Sequence, residues 1–194
     1  KILIVDGATV DDVGDVTITI ASGYLGATLI VDATALDTDP ITAATGEILT
    51  LTNSDNVALT VDGGTNRDVI TGGSGVDVIR GNGGNDSLTG GAAADSLYGN
   101  DGVDTILGGG GTDYIEGGAG NDVISVTTFT DFKTSGGVET VKGGDGTDTL
   151  AFAQNNTALT LTAPEMEQLY SIEAITLATG NGAAVVTFGN ATFT

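Results

Sequence analysis

The 194 residues carry 26 acidic and 5 basic side chains, a net charge of −21, and neither cysteine nor histidine. So few bases exclude binding nucleic acid through its phosphates and docking on anionic lipid, both of which need clustered Lys and Arg. The missing residue types exclude disulfides, thiolate zinc sites, Ser-His triads and cysteine nucleophiles.

Val, Ile, Leu, Ala and Thr are abundant, which favours strands. No apolar run approaches the length of a membrane span, so no membrane insertion is expected. The 32 glycines would signal disorder if scattered, but they are concentrated and periodic. The chain opens mid-pattern at KILIVDG and reads as a piece of a longer protein. Residues 1–61 form a β-rich N-terminal flank with strand-type runs at 16–20, 27–31, 47–52 and 57–61, punctuated by Gly, Asp and Asn.

Residues 62–125 then fall into strict register. Seven nonapeptides follow in tandem: GGTNRDVIT, GGSGVDVIR, GNGGNDSLT, GGAAADSLY, GNDGVDTIL, GGGGTDYIE and GGAGNDVIS. Asp68, Asp77, Asp86, Asp95, Asp104, Asp113 and Asp122 hold the sixth position of every copy, and an Ile or Leu holds the eighth. Residues 126–142 interrupt the pattern and are expected to loop out. An eighth copy, GGDGTDTLA, returns at 143–151 with Asp148. Residues 152–194 read as a β-rich C-terminal cap, with runs at 157–162, 173–178 and 184–188. Between the first two of these, TAPEMEQLY suggests one short helix, with Pro164 at its first turn and Glu165 and Glu167 at the positive end of its dipole.

A period of nine does not suit a 3.6-residue helix; it suits a turn of about six residues followed by a strand of about three. Two copies make one coil, with a strand on each side. Ile70, Leu88, Ile106 and Ile124 then ladder on one side, and Ile79, Leu97 and Ile115 on the other. Position 7 faces outward. The same stacking sets Asp68 over Asp86 and Asp77 over Asp95. Carboxylates about 5 Å apart repel by about 3 kcal/mol at an effective dielectric near 20. Two buried Ile or Leu per coil, at about 1.5–3 kcal/mol each, do not offset that together with the backbone entropy. A cation must lie between the carboxylates. Calcium fits best: it takes 6–8 oxygens in flexible geometry, whereas magnesium demands a tighter octahedron and zinc prefers His or Cys.

The pattern G-G-x-G-x-D-x-U-x resembles the RTX (repeats-in-toxin) nonapeptide of secreted bacterial proteins, over about 63–125 and again at 143–151. The resemblance implies an all-β fold, a right-handed parallel β-roll (β-solenoid) flanked by β-rich segments that extend or cap it. It implies calcium between same-side turns, paired as Asp68–Asp86, Asp77–Asp95, Asp86–Asp104, Asp95–Asp113 and Asp104–Asp122. Those pairs enclose about five internal sites. Backbone carbonyls of each turn complete the coordination: Gly63 and Thr65; Gly72, Ser74 and Gly75; Gly81, Gly83 and Gly84; Gly90 and Ala92; Gly99, Asp101 and Gly102; Gly108, Gly110 and Gly111; Gly117, Ala119 and Gly120.

Several positions depart from the pattern. Asn66 and Ala93 replace the fourth-position glycine, and Ala93 is expected to be the costlier change because Asn tolerates left-handed backbone. Asn82 and Asn100 replace second glycines, and Gly83 and Asp101 occupy third positions, where the Asp101 side chain either adds a ligand or is solvated. Asp131, nine residues after Asp122, is a candidate to stack over Asp113 and close a sixth site, and Asp148 is a candidate terminal ligand.

Other motifs fail on their chemistry. GGGGTD at 108–113 lacks the lysine of a phosphate loop. No EF-hand loop occurs. Glu165 and Glu167 face different ways on a short helix and read as exposed charges rather than a catalytic pair, and Arg67 and Arg80 read as solvated. The resulting expectation is a non-enzymatic, calcium-binding structural module of a secreted, cell-surface bacterial protein, an S-layer protein or adhesin. The stretch YSIEAITLATG is similar to segments that accompany RTX repeats in S-layer-like proteins. Its expected partners are calcium, further copies in a surface lattice, or cell-surface polysaccharide. The alternative is the C-terminal RTX secretion and folding domain of a secreted protease, lipase or epimerase.

Overall fold

The computed structural model describes residues 2–3, 16–20, 29–32, 49–53, 56–126, 140–152, 159–161, 169–177 and 186–188. Every strand pairing among them is parallel. Successive strands alternate between two sheets of eight.

The first sheet runs β2 (Val16–Ile20), β4 (Leu49–Asn53), β6 (Val69–Gly73), β8 (Ser87–Gly91), β10 (Thr105–Gly109), β12 (Val123–Val126), β14 (Thr149–Phe152) and β17 (Ala174–Leu177). The second runs β1 (Ile2–Leu3), β3 (Leu29–Asp32), β5 (Leu59–Asp62), β7 (Val78–Gly83), β9 (Ser96–Asp101), β11 (Tyr114–Ala119), β13 (Thr140–Asp145) and β16 (Leu169–Tyr170). A separate pair joins β15 (Leu159–Leu161) to β18 (Val186–Phe188).

This is the parallel roll that the nine-residue period dictates. Ile70 pairs with Leu88, Leu88 with Ile106 and Ile106 with Ile124 on one side. Ile79 pairs with Leu97 and Leu97 with Ile115 on the other. All seven side chains are essentially inaccessible, because alternate strand residues point into the narrow space between the sheets. Described strands of both flanks lengthen these ladders, while β15 and β18 pair only with each other. Leu51 stacks on Ile70 and Val61 on Ile79 at one end; Leu150 follows Ile124 and Val141 follows Ile115 at the other. Ile175 and Leu169 pack as the last, partly buried rungs.

The interruption is shorter than the sequence suggested. Val126 closes β12 and Thr140 opens β13, so these residues belong to the sheets, and 127–139 lie outside the described residues. The eighth repeat stays in the stack: Ile124 pairs with Leu150, 26 residues on, where earlier rungs are 18 apart. One coil plus an eight-residue insertion restores the register. Of the expected helix, 162–168 lie outside the described residues, while Leu169–Tyr170 form a strand because Leu169 is needed as a rung beside Val141.

Outward positions on the second sheet form a polar and aromatic stripe. Arg80 is not simply solvated: its guanidinium meets the Asp62 carboxylate at 3.0 Å and lies 5.5 Å from the Tyr98 ring centre. The register Asp62–Arg80–Tyr98 stacks these side chains on adjacent strands, and opposite charges on neighbouring rungs attract. Lys142 donates to the Tyr114 hydroxyl at 2.7 Å, and that hydroxyl donates to Glu116 at 2.6 Å.

Candidate metal centres along the Asp ladders

Each turn bends sharply back on itself, and its backbone shows how. At the second position Gly73, Gly91, Gly109, Gly118 and Gly144 have positive φ, and Asn82 (φ 75°) and Asn100 (φ 72°) take the same left-handed form. Asn is the usual side-chain-bearing residue there, so these two replacements preserve the turn. Ala93 is not among the positive-φ residues, so its turn escapes the strain that the sequence suggested.

The bend delivers the sixth-position Asp inward. Asp68, Asp77, Asp86, Asp95, Asp104, Asp113, Asp122 and Asp148 are all buried. One oxygen of each inner carboxylate is already engaged, since Oδ1 accepts the main-chain N–H of the Asp one coil earlier. Asp68 donates to Asp86 (2.7 Å), Asp86 to Asp104 (2.7 Å), Asp104 to Asp122 (2.8 Å) and Asp122 to Asp148 (2.8 Å). On the opposite side Asp77 donates to Asp95 (2.9 Å) and Asp95 to Asp113 (3.0 Å). The five expected pairs are all present as stacked turns, and Asp122–Asp148 is a sixth.

The second carboxylate oxygen is different. Oδ2 of Asp77, Asp86, Asp95, Asp104, Asp122 and Asp148 is buried without a hydrogen-bond donor. Each faces the first glycine of its own turn, where a main-chain carbonyl from the next coil also arrives. A Cβ on Gly90 would stand 2.5 Å from Asp95 Oδ2 and 2.6 Å from the Gly108 carbonyl oxygen. Gly72, Gly81, Gly99 and Gly117 are placed likewise, against Asp77 and Gly90, Asp86 and Gly99, Asp104 and Gly117, and Asp122 and Gly143. Glycine is required here because the oxygens fill the space a side chain would occupy. Two acceptors sharing a buried space with no donor between them repel, and a lost partner for a charged buried group costs several kcal/mol.

The electrostatics agree. Burial pushes Asp86 and Asp95 up to about 7 from the ordinary 3.8, and Asp77 and Asp104 up to about 6. Backbone hydrogen bonds oppose this, while neighbouring Asp charges add to it for Asp86, Asp95 and Asp104. Asp122 is raised in the same way, with Asp148 contributing.

The chemistry of the donor set suits calcium. Among the described residues no three His, Cys, Asp or Glu side chains gather around one point. The oxygens that converge are instead a carboxylate and main-chain carbonyls, the hard and loosely arranged ligands that calcium accepts. Carbonyls of Gly81, Gly90, Gly99, Gly108 and Gly117 stand at these places. The other expected carbonyl donors, on Thr65, Ser74, Gly75, Gly83, Gly84, Ala92, Asp101, Gly102, Gly110, Gly111, Ala119 and Gly120, lie in the same turns. Asp101 is exposed. Asp131 lies outside the described residues, and the strand beside β11 begins at Thr140.

Both ends of the ladders carry residues that the repeat pattern did not reveal. Leu59 occupies the Asp position one coil before Asp77 and its N–H donates to Asp77 Oδ1 at 2.7 Å. There the side-chain amide of Asn53 donates to the Gly72 carbonyl at 2.5 Å and to the Val57 carbonyl at 3.2 Å. At the other end Glu173 Oε2 accepts the Asp148 N–H at 2.8 Å.

A family model described as the RTX calcium-binding nonapeptide repeat (4 copies) matches residues 62–97, 89–124 and 134–151. No curated protein and no solved structure matches the chain.

Proposed function

Residues 62–124 and 134–151 are RTX calcium-binding nonapeptide repeats, and from that premise we propose that the chain is a calcium-ordered structural module of a secreted bacterial surface protein of the S-layer or adhesin kind. The observation that carries this reading is the continuity of the two sheets. Described strands from both flanks pair onto the repeat strands, so the repeats sit within longer parallel sheets.

In this reading calcium supplies charge neutralisation between stacked turns. Asp77, Asp86, Asp95, Asp104, Asp122 and Asp148 offer Oδ2, and first-position glycine carbonyls offer the neighbouring oxygens. Where calcium is scarce, repulsion along the ladders keeps the turns apart and the chain extended for export. Outside the cell, calcium draws them together. Inner Asp residues serve two neighbouring loci each, which makes the closure cooperative.

The surface role is tested on the intact chain by light scattering and electron microscopy across a calcium titration. Sheets or filaments that form with calcium and disperse with chelator support a lattice module. A chain that binds calcium yet stays monomeric at millimolar levels would count against the surface reading in favour of a folding and secretion domain.

A further inference from the structure

The last turn of the roll is not a repeat by sequence, yet it is built as one. Ala174 pairs with Thr149 and Ile175 with Leu150, so Glu173 stands where an Asp stands in every repeat. Its Oε2 accepts the Asp148 N–H at 2.8 Å, as Asp148 Oδ1 accepts that of Asp122 at 2.8 Å. Ser171 takes the part of the first glycine of a following turn: its carbonyl oxygen arrives against Gly143, where Asp148 Oδ2 also points. Ser171 adopts φ 49°, a left-handed form that a serine seldom takes, and this strained bend brings Ser171 and Glu173 to the end of the ladder.

We propose that Ser171 and Glu173 complete a terminal calcium site with Asp148, a ninth turn in which glutamate replaces aspartate. The proposal rests on the calcium reading of the repeats. Its independent support is the Asp148 carboxylate: Asp148 is fully buried, and its Oδ2 has no hydrogen-bond donor. The opposite end of the roll shows the alternative solution. At Gly72 the carbonyl is met by the Asn53 amide, a donor carried by the chain itself, and Leu59 stands in place of an Asp. At Gly143 the arriving groups are Asp148 Oδ2 and the Ser171 carbonyl, and both are acceptors. The Asp ladders thus end on an amide at one side and on a carboxylate at the other, with Glu173 exposed at the ladder's edge.

The test counts ions on the intact calcium-loaded chain by native mass spectrometry, with amide hydrogen exchange on the same samples. Glu173→Ala is expected to hold one calcium fewer than wild type, with exchange accelerating in Thr149–Phe152 and Ala174–Leu177 and unchanged in Thr105–Gly109. Glu173→Gln retains an acceptor for the Asp148 N–H but loses the charge, and it too is expected to lose one ion. If either variant folds with the wild-type ion count, the terminal site does not exist, although the repeats still bind calcium. A wild-type chain that holds no calcium overturns the reading of the repeats and this site with it.

Discussion

Acid should partly replace calcium. The perturbation is to strip the chain with chelator and lower the pH from about 7.5 to about 4.5. In the folded roll Asp86 and Asp95 rise to about 7, and Asp77 and Asp104 to about 6, from 3.8 in the unfolded chain. The folded state therefore binds more protons than the unfolded state throughout that window. A group raised on folding contributes stability that is fully present below its unfolded value and is lost as pH climbs through its folded value. For Asp86 the displacement from 3.8 to about 7 corresponds to at most about 4 kcal/mol, and to about 2 kcal/mol once water around the turn screens the charge. Four such residues make the swing large compared with the marginal stability of a small domain. Far-UV circular dichroism should show strand signal growing between about pH 7 and about pH 4 without calcium. Sedimentation must accompany it, because the sequence pI of about 4.1 invites aggregation at the acid end. Strand signal that is flat or falling in the soluble fraction would refute the claim that burying ionised carboxylates, with their like-charged neighbours, holds the metal-free roll open.

Two sets of substitutions probe the same geometry. Asp104 lies between Asp86 and Asp122 in its ladder, whereas Asp68 opens the series of repeats and its Oδ2 already accepts the Gly64 N–H at 2.7 Å. Asp104→Ala should raise the calcium midpoint of folding by about ten- to a hundredfold and Asp68→Ala by much less; equal midpoints would exclude shared ligation. Among glycines, a Cβ on Gly110 meets nothing within 4 Å, while Gly102 has φ 137° and would collide with the Gly84 carbonyl. Thermal unfolding in calcium should place Gly110→Ala within about 0.5 kcal/mol of wild type and Gly102→Ala more than about 2 kcal/mol below it.

Much of this was legible in the residues. The nine-residue period set the coil, the Ile and Leu rungs and the stacking of Asp68 on Asp86 and Asp77 on Asp95, because strand alternation leaves one inward position per copy. The strand at Val16–Ile20 lay where VTITI placed it. What the period could not show lay where the period stops. Nothing in it gave the length of the insertion before Thr140, since a loop of any size leaves the register intact. Asn53 falls just past the run at 47–52, and its part depends on Gly72, 19 residues on, which no local pattern places beside it. Glu173 did leave a trace: E-A-I-T at 173–176 repeats D-x-U-x with one carboxylate exchanged for another. Without its glycines the turn went unrecognised. Ala93 keeps an ordinary backbone conformation, since the fourth position need not be left-handed in every copy.

The central claim is that the carboxylate ladders close around calcium. Titrating calcium into the chelated, intact chain at neutral pH while following circular dichroism tests it most directly. Little strand structure is expected at the start, followed by a steep, cooperative rise with a midpoint at about 10⁻⁴–10⁻³ M, the range of extracellular calcium modules. A chain whose strand signal is already complete in chelator, and does not change as calcium is added, would contradict it.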